Sequence, residues 1–276
     1  MSGIITARRG FTRRAFLAHG AGLVAGLAVS KGPAMATEPS PPSLLPASPP
    51  VPLKGIGGAW NLAFSDDFCD ARAVDDRWIR MEIGGDQHPT QRLPENVTAG
   101  ACDLGLALGH QDDAKRPFTG GYVKTRRFRQ TYGYFECAMR IAAEPGVNNA
   151  FWLVSDPASE RDGVQYELDV AEAKYPDRVN LAVHRWKPGP KWADGHWFRA
   201  RTPLSKRFHR YALLWTAETF VFFFDDREVW RCPNTLAHSP AEIRFSNAVA
   251  PFAGRHDGDV RGAATTIGWV RVFAPA

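Results

Sequence analysis

Three carboxylates fall within six residues of an otherwise apolar stretch: Glu167, Asp169 and Glu172, among Tyr166, Leu168, Val170 and Ala171. In a β-strand, Glu167 and Asp169 point to one face, and Tyr166, Leu168 and Val170 to the other. Plain alternation would send Glu172 inward. A β-bulge after Asp169 would return it to the carboxylate face. Three acids crowded on one face raise one another's pKa, so one keeps a proton near neutral pH. An ionised carboxylate beside a protonated one is the pair that retaining glycoside hydrolysis needs. A third acid between them can share the proton. Two other readings stand: a solvated strand face, or a site for a hard cation such as calcium. The apolar surroundings oppose the first. The absence of a Gly-rich, carbonyl-rich turn opposes the second. The chemistry itself needs no cofactor, and a structural calcium stays open.

Such a face needs a sheet to carry it. From residue 54 the chain reads as short alternating segments punctuated by Gly, Pro, Asp and Asn, with no sustained helical period. Examples are 135–141, 179–186, 219–224 and 267–273. This pattern predicts an all-β antiparallel sandwich in one domain, 54–276. Parity puts Asn148, Ala150 and Trp152 on one face of their strand and Phe151 in the core. It puts Asn180, Ala182, His184 and Trp186 opposite Val179, Leu181 and Val183. Trp152 is expected to offer its indole to a sugar ring, and His184 to bond a sugar hydroxyl or a carboxylate. Trp192 and Trp197 are expected in a loop that adds a subsite or covers the sheet edge. Arg185, Lys187 and Lys191 make that rim basic, which would suit an acidic polysaccharide.

The formal charge of +5 comes from residues 1–36, which hold Arg8, Arg9, Arg13, Arg14 and Lys31 and no acid; beyond them 29 basic residues face 29 acidic ones. A nucleic-acid partner is therefore not expected. The basic run 115–129 reads as a solvated strand face. Arg13-Arg14-Ala-Phe-Leu17, an apolar stretch and Ala34-Met35-Ala36 have the order of an export signal of twin-arginine type, 1–36. The implied partner is the twin-arginine export machinery, and the implied location is periplasmic or secreted. No stable membrane span would remain after cleavage. Seven prolines in 37–53 predict an extended linker. Cys69, Cys102, Cys137 and Cys232 form no C-x-x-C pair, and their pairing stays open, although Cys137 has core parity. A monomer is expected.

The motifs, in order, resemble glycoside hydrolase family 16, the family of laminarinases, agarases and carrageenases. Glu-x-Asp-x-x-Glu at 167–172 matches its signature. Phe64-Ser-Asp-Asp-Phe68, Phe118-Thr-Gly-Gly-Tyr122, Tyr132-Gly-Tyr-Phe-Glu136, Ala150-Phe-Trp-Leu153, Phe208-His-Arg-Tyr211 and Trp269-Val-Arg-Val-Phe273 look like its other strands. The resemblance implies a concanavalin-like β-jelly roll of two antiparallel sheets with a substrate cleft. It implies Glu167 as nucleophile, Asp169 as the assisting acid and Glu172 as general acid/base, in an endo-acting hydrolase or transglycosylase of a β-linked polysaccharide. Two departures bear on the substrate: Asn148 and Asn149 stand where the family often has Trp-Pro, and Tyr166 where it often has Gly. The rival reading is a lectin-like binder on the same fold, although a pure binder has no need to crowd charges. A calcium-dependent wall protein is a third.

Overall fold

The computed structural model describes residues 50–276 apart from 85–87, 157, 159–162 and 257. The export signal at 1–36 and most of the linker lie outside the described residues. Two antiparallel sheets face one another in a β-jelly roll. One has seven strands, in the order Trp192–Arg199, Arg178–Lys187, Gln165–Lys174, Val147–Ser155, Ala241–Val249, Tyr122–Thr125 and Trp78–Arg80. The other has eight and is centred on Gly133–Arg140 and Ala264–Pro275.

The core between them is built by the inward half of each alternation. Phe151 stacks on Phe245 at 5.0 Å, and Phe135 and Tyr166 both meet Trp215. Cys137 is buried among these groups as a free thiol. Tyr166 buries its ring completely and gives its hydroxyl to the Ser239 carbonyl. A polar tie joins the sheets where Asn149 Oδ1 accepts from Thr265 Oγ1 at 2.5 Å and from the Ala142 N–H at 3.0 Å.

A third, small sheet orders Ile83–Gly84, Thr90–Arg92, Phe118–Gly120 and Gly109–His110, with Thr90–Arg92 and Phe118–Gly120 parallel. It is held against the seven-stranded sheet by Thr90 Oγ1, which donates to the Val249 carbonyl at 2.9 Å. Gly120 makes this approach feasible, since a Cβ there would lie 2.8 Å from the Asn247 carbonyl.

Three expectations are corrected. The linker ends earlier than residue 53, because Val51–Gly55 is a helical turn and Leu53 is buried with Tyr134, Leu214 and Phe273. Trp192–Arg199 is an edge strand and not a loop. It pairs along its whole length with Arg178–Lys187, and Gly195 leaves room for the Leu181 carbonyl. The basic run is a solvated face only in part: Lys115, Arg126 and Arg127 are exposed, while Lys124 and Arg129 both turn to the buried Glu242 at 3.3 and 2.7 Å. Of the cysteines, Cys69 and Cys102 form a disulfide.

Candidate active site

The strand Gln165–Lys174 carries the bulge its spacing requires. Val170 and Ala171 together oppose the single residue Leu181, and both are fully buried. The chain resumes with Glu172 on the same face as Glu167 and Asp169. All three line a cavity of about 380 Å³ on the outer face of the seven-stranded sheet, with Asn148, Trp152, Asn180, His184 and Trp186 around them.

Each acid has its own partners. Trp186 Nε1 donates to Glu167 Oε2 at 3.3 Å. His184 Nε2 lies 2.9 Å from Asp169 Oδ2, so the imidazole serves a carboxylate. Glu172 is held at both oxygens: Asn148 Nδ2 donates to Oε1 at 2.8 Å and Asn180 Nδ2 to Oε2 at 3.0 Å. The amide at 148 thus fixes an acid, while its neighbour Asn149 is a core tie. Lys174, two residues on along the same face, brings its ammonium to 3.6 Å from Glu172 Oε2.

Burial first, then the Asp169 charge, pushes Glu167 up to about 8. Burial first, then the Glu172 charge, pushes Asp169 well above the usual carboxylate range. The cluster therefore holds fewer charges than acids. Glu167 and Asp169 share this proton: while it sits on Glu167 the Asp169 charge holds it there, and when it passes to Asp169 that cause of the rise at Glu167 disappears. The indole N–H and His184 then favour its ionised form.

Aromatic rings stand at fixed angles around the acids. Trp152 donates Nε1 to Ser246 Oγ at 3.2 Å, stacks with Tyr122 at 5.7 Å and has the Arg244 guanidinium 4.9 Å from its ring centre. Trp186 lies flush on His184, with centroids 5.2 Å apart and planes within 8°. Trp192 and Trp197 do not line the cavity. Trp192 pairs with Arg185, whose parity is opposite to that of His184, so it leaves the cleft face. Trp197 pairs with Asn180 on the cleft side but lies further out, under the Lys174 ammonium at 4.3 Å.

Sequence reasoning missed His88, Arg92, Ser246 and Phe252, which also line the cavity. They come from separate segments, and no local periodicity marks them. Lys174 was within reach, because it shares the parity of Glu172.

Among the described residues, Glu167, Asp169 and His184 are a trio whose ligand atoms could meet on one ion, lying within 4.8 Å of one another. Two carboxylates and an imidazole fall well short of the ~6–8 oxygens calcium takes. A larger hollow of about 510 Å³ borders Phe198, Arg207 and Asp225. Asp225 is already engaged there by His209 at 2.8 Å and by Arg207 at 3.4 Å. Volume alone therefore does not mark the site, and the clustered acids do.

Residues 90–270 match the family model "Glycosyl hydrolases family 16". An endo-1,3-1,4-beta-glycanase, EglC, of Rhizobium meliloti (strain 1021) is 32% identical over 164 residues, covering 57% of this chain and 34% of its own length. This chain thus spans about a third of that relative. A beta-glucanase of Rhodothermus marinus is 28% identical over 197 residues, covering 66% of this chain and 68% of its own. The X-ray structure of the laminarinase from Rhodothermus marinus superposes with a TM-score of 0.68 at 25% identity, over 79% of this chain and 99% of that one. With the family model spanning well over half its length, and with the carboxylate strand inside the matched stretch, the chain belongs to glycosyl hydrolases family 16.

Proposed function

We propose that this chain is an exported, endo-acting hydrolase of a β-linked polysaccharide that works by double displacement with retention. The observation that carries the reading is the bulged strand, which puts three acids with three different sets of partners into one cavity. The names of the relatives, glycanases and glucanases, favour a β-glucan backbone.

In this reading Glu167 attacks the anomeric carbon and forms a glycosyl ester. Glu172, oriented by Asn148 and Asn180, gives its proton to the leaving oxygen. It then takes a proton from the incoming water, whose oxygen releases the sugar from Glu167. Asp169 shares a proton with Glu167 and relieves the charge there as the bond forms. Trp152 and Trp186 present indole surface to sugar rings. A sugar hydroxyl in place of water makes the same chain a transglycosylase. Export rests on Arg13, Arg14 and the segment to Ala36, and the mature chain acts as a monomer.

The experiment is reducing-end release by the mature chain across a panel of β-1,3-glucan, mixed-linkage glucan, agarose, carrageenan and an acidic exopolysaccharide. The anomeric form of the first product is followed by NMR. Release with retention, abolished in Glu167→Gln, is expected. Glu172→Gln should spare aryl glycosides with good leaving groups more than natural chains. Inversion, or full activity in Glu167→Gln, would sink the assignment. Equal glycan binding by wild type and variant without any release would favour the lectin reading.

A further inference from the structure

The two ends of the cavity differ in how their polar groups are spent. Toward Glu167 the cations are paired: Arg244 with Glu242 and the Tyr122 hydroxyl, and Lys124 and Arg129 with Glu242. Beyond Glu172, Lys174 is spent on Glu172 itself, and Arg92 is left over. Arg92 lines the cavity with its Nε buried and without a hydrogen-bond partner. Among the groups acting on its guanidinium, burial dominates and only the Tyr122 hydroxyl opposes it. His88 Nδ1 and the Asn148 Oδ1 are likewise buried and unspent in the same wall. Phe252 meets the His88 ring edge-on at 5.5 Å and closes that side.

A half-buried guanidinium whose Nε–H is buried and unpartnered, with no anion against it, is costly. A neutral sugar hydroxyl would fill one donor and leave the charge uncompensated. A planar fork of N–H donors is matched by a carboxylate or a sulfate, which accept two bonds at once. Burial, and then the Arg92 charge, lowers the His88 pKa, so this ring contributes an N–H without a competing charge. Arg92 is also held in place. Its strand lies between Ile83–Gly84 and Phe118–Gly120, and the next residue, Leu93, donates its N–H to the Gly120 carbonyl at 3.0 Å.

We infer that the end of the cleft beyond Glu172 binds an anionic substituent of the glycan, a carboxylate or a sulfate ester, with the Arg92 guanidinium as its partner. This deepens the hydrolase reading and rests on it for the orientation of the glycan in the cleft. The substrate is then an acidic polysaccharide, and the rim residues Arg185, Lys187 and Lys191 are not its determinant.

The test is calorimetric binding to the full-length Glu167→Gln chain. The probes are a neutral β-1,3-gluco-hexasaccharide, its C6-carboxylated form and its C6-sulfated form. At least one anionic form should bind about tenfold more tightly than the neutral one, and the gain should shrink with added salt. The better of the two anions identifies the substituent. In the Arg92→Gln background the anionic-to-neutral ratio should fall to about one, and Arg92→Lys should keep part of it. If Arg92→Gln does not fold, the severalfold loss in Arg92→Lys carries the result. No gain for either anionic form, or a gain untouched at Arg92, overturns the inference. Preferential binding with no cleavage of any probe by wild type would remove the hydrolase reading and leave this one standing. Equal cleavage of all three would do the reverse.

Discussion

Trp186 gives its indole N–H to Glu167 while its ring lies flush on His184, which in turn contacts Asp169. One aromatic pair therefore touches two of the three acids from the neighbouring strand. It does so because residues 184 and 186 share the parity of the cleft face.

Trp186→Phe keeps a ring and removes the donor. The indole bond is one of the groups that lower the Glu167 pKa against burial and Asp169. Its loss should raise that pKa further, so the acid limb of kcat/KM should move to higher pH. A pH–rate profile that stays put, with only KM changed, would reduce Trp186 to a binding surface.

Asp169→Asn should move the same limb the other way. The Asp169 charge is the second cause, after burial, of the rise at Glu167, and the amide removes it. The expected profile has an acid limb at lower pH and a kcat lower by about 10²–10⁴-fold, since the shared proton is gone. Shifts of the two variants in the same direction would contradict the electrostatic account.

Glu167→Gln should stabilise the fold at alkaline pH. The folded chain raises this group from its ordinary range to about 8, so it binds a proton that the unfolded chain has released. The stability contributed is full below the ordinary range and is lost as pH climbs through about 8. The variant escapes that loss. Thermal midpoints should agree near pH 4 and separate by several degrees near pH 9, the variant being higher. A variant that is no more stable at pH 9 would show that the carboxylate is not strained by burial.

The sandwich was legible because its strands alternate cleanly. The bulge was legible because three acids of mixed spacing needed one face. Parity also gave Asn148, Trp152, His184 and Trp186 their places. It failed at Trp192, whose strand was hidden by the glycine, proline and lysines around it, and whose pairing with Arg185 turns it away. His88, Arg92 and Phe252 were invisible for another reason. They reach the cavity from the small sheet and from the turn after Val249, so only tertiary contacts bring them to the acids. The paired role of Lys124 and Arg129 depends on Glu242, more than a hundred residues away, and a local reading of charge cannot supply it.

The Cys69–Cys102 bridge closes a loop of 33 residues that includes the buried Trp78 and the strand bearing Arg92. Chain entropy puts its stabilisation at about 3–4 kcal/mol. Reduction should lower the thermal midpoint by roughly 10 °C. It should also loosen anionic glycan binding more than neutral binding, because two of the small sheet's strands, Ile83–Gly84 and the Arg92-bearing Thr90–Arg92, lie inside the loop. An unchanged midpoint under reductant would mean that the bridge does not form in the folded chain.

The bulge has one more consequence. Val170 and Ala171 both point inward, so a chain lacking either one would run in ordinary alternation and still present all three acids outward. Everything downstream, Lys174 included, would keep its side. The triad is therefore indifferent to a single-codon deletion at this point, even though its spacing in the sequence is not. A search keyed to Glu-x-Asp-x-x-Glu would pass over chains that keep the same acids on the same face and differ only by that one inward residue.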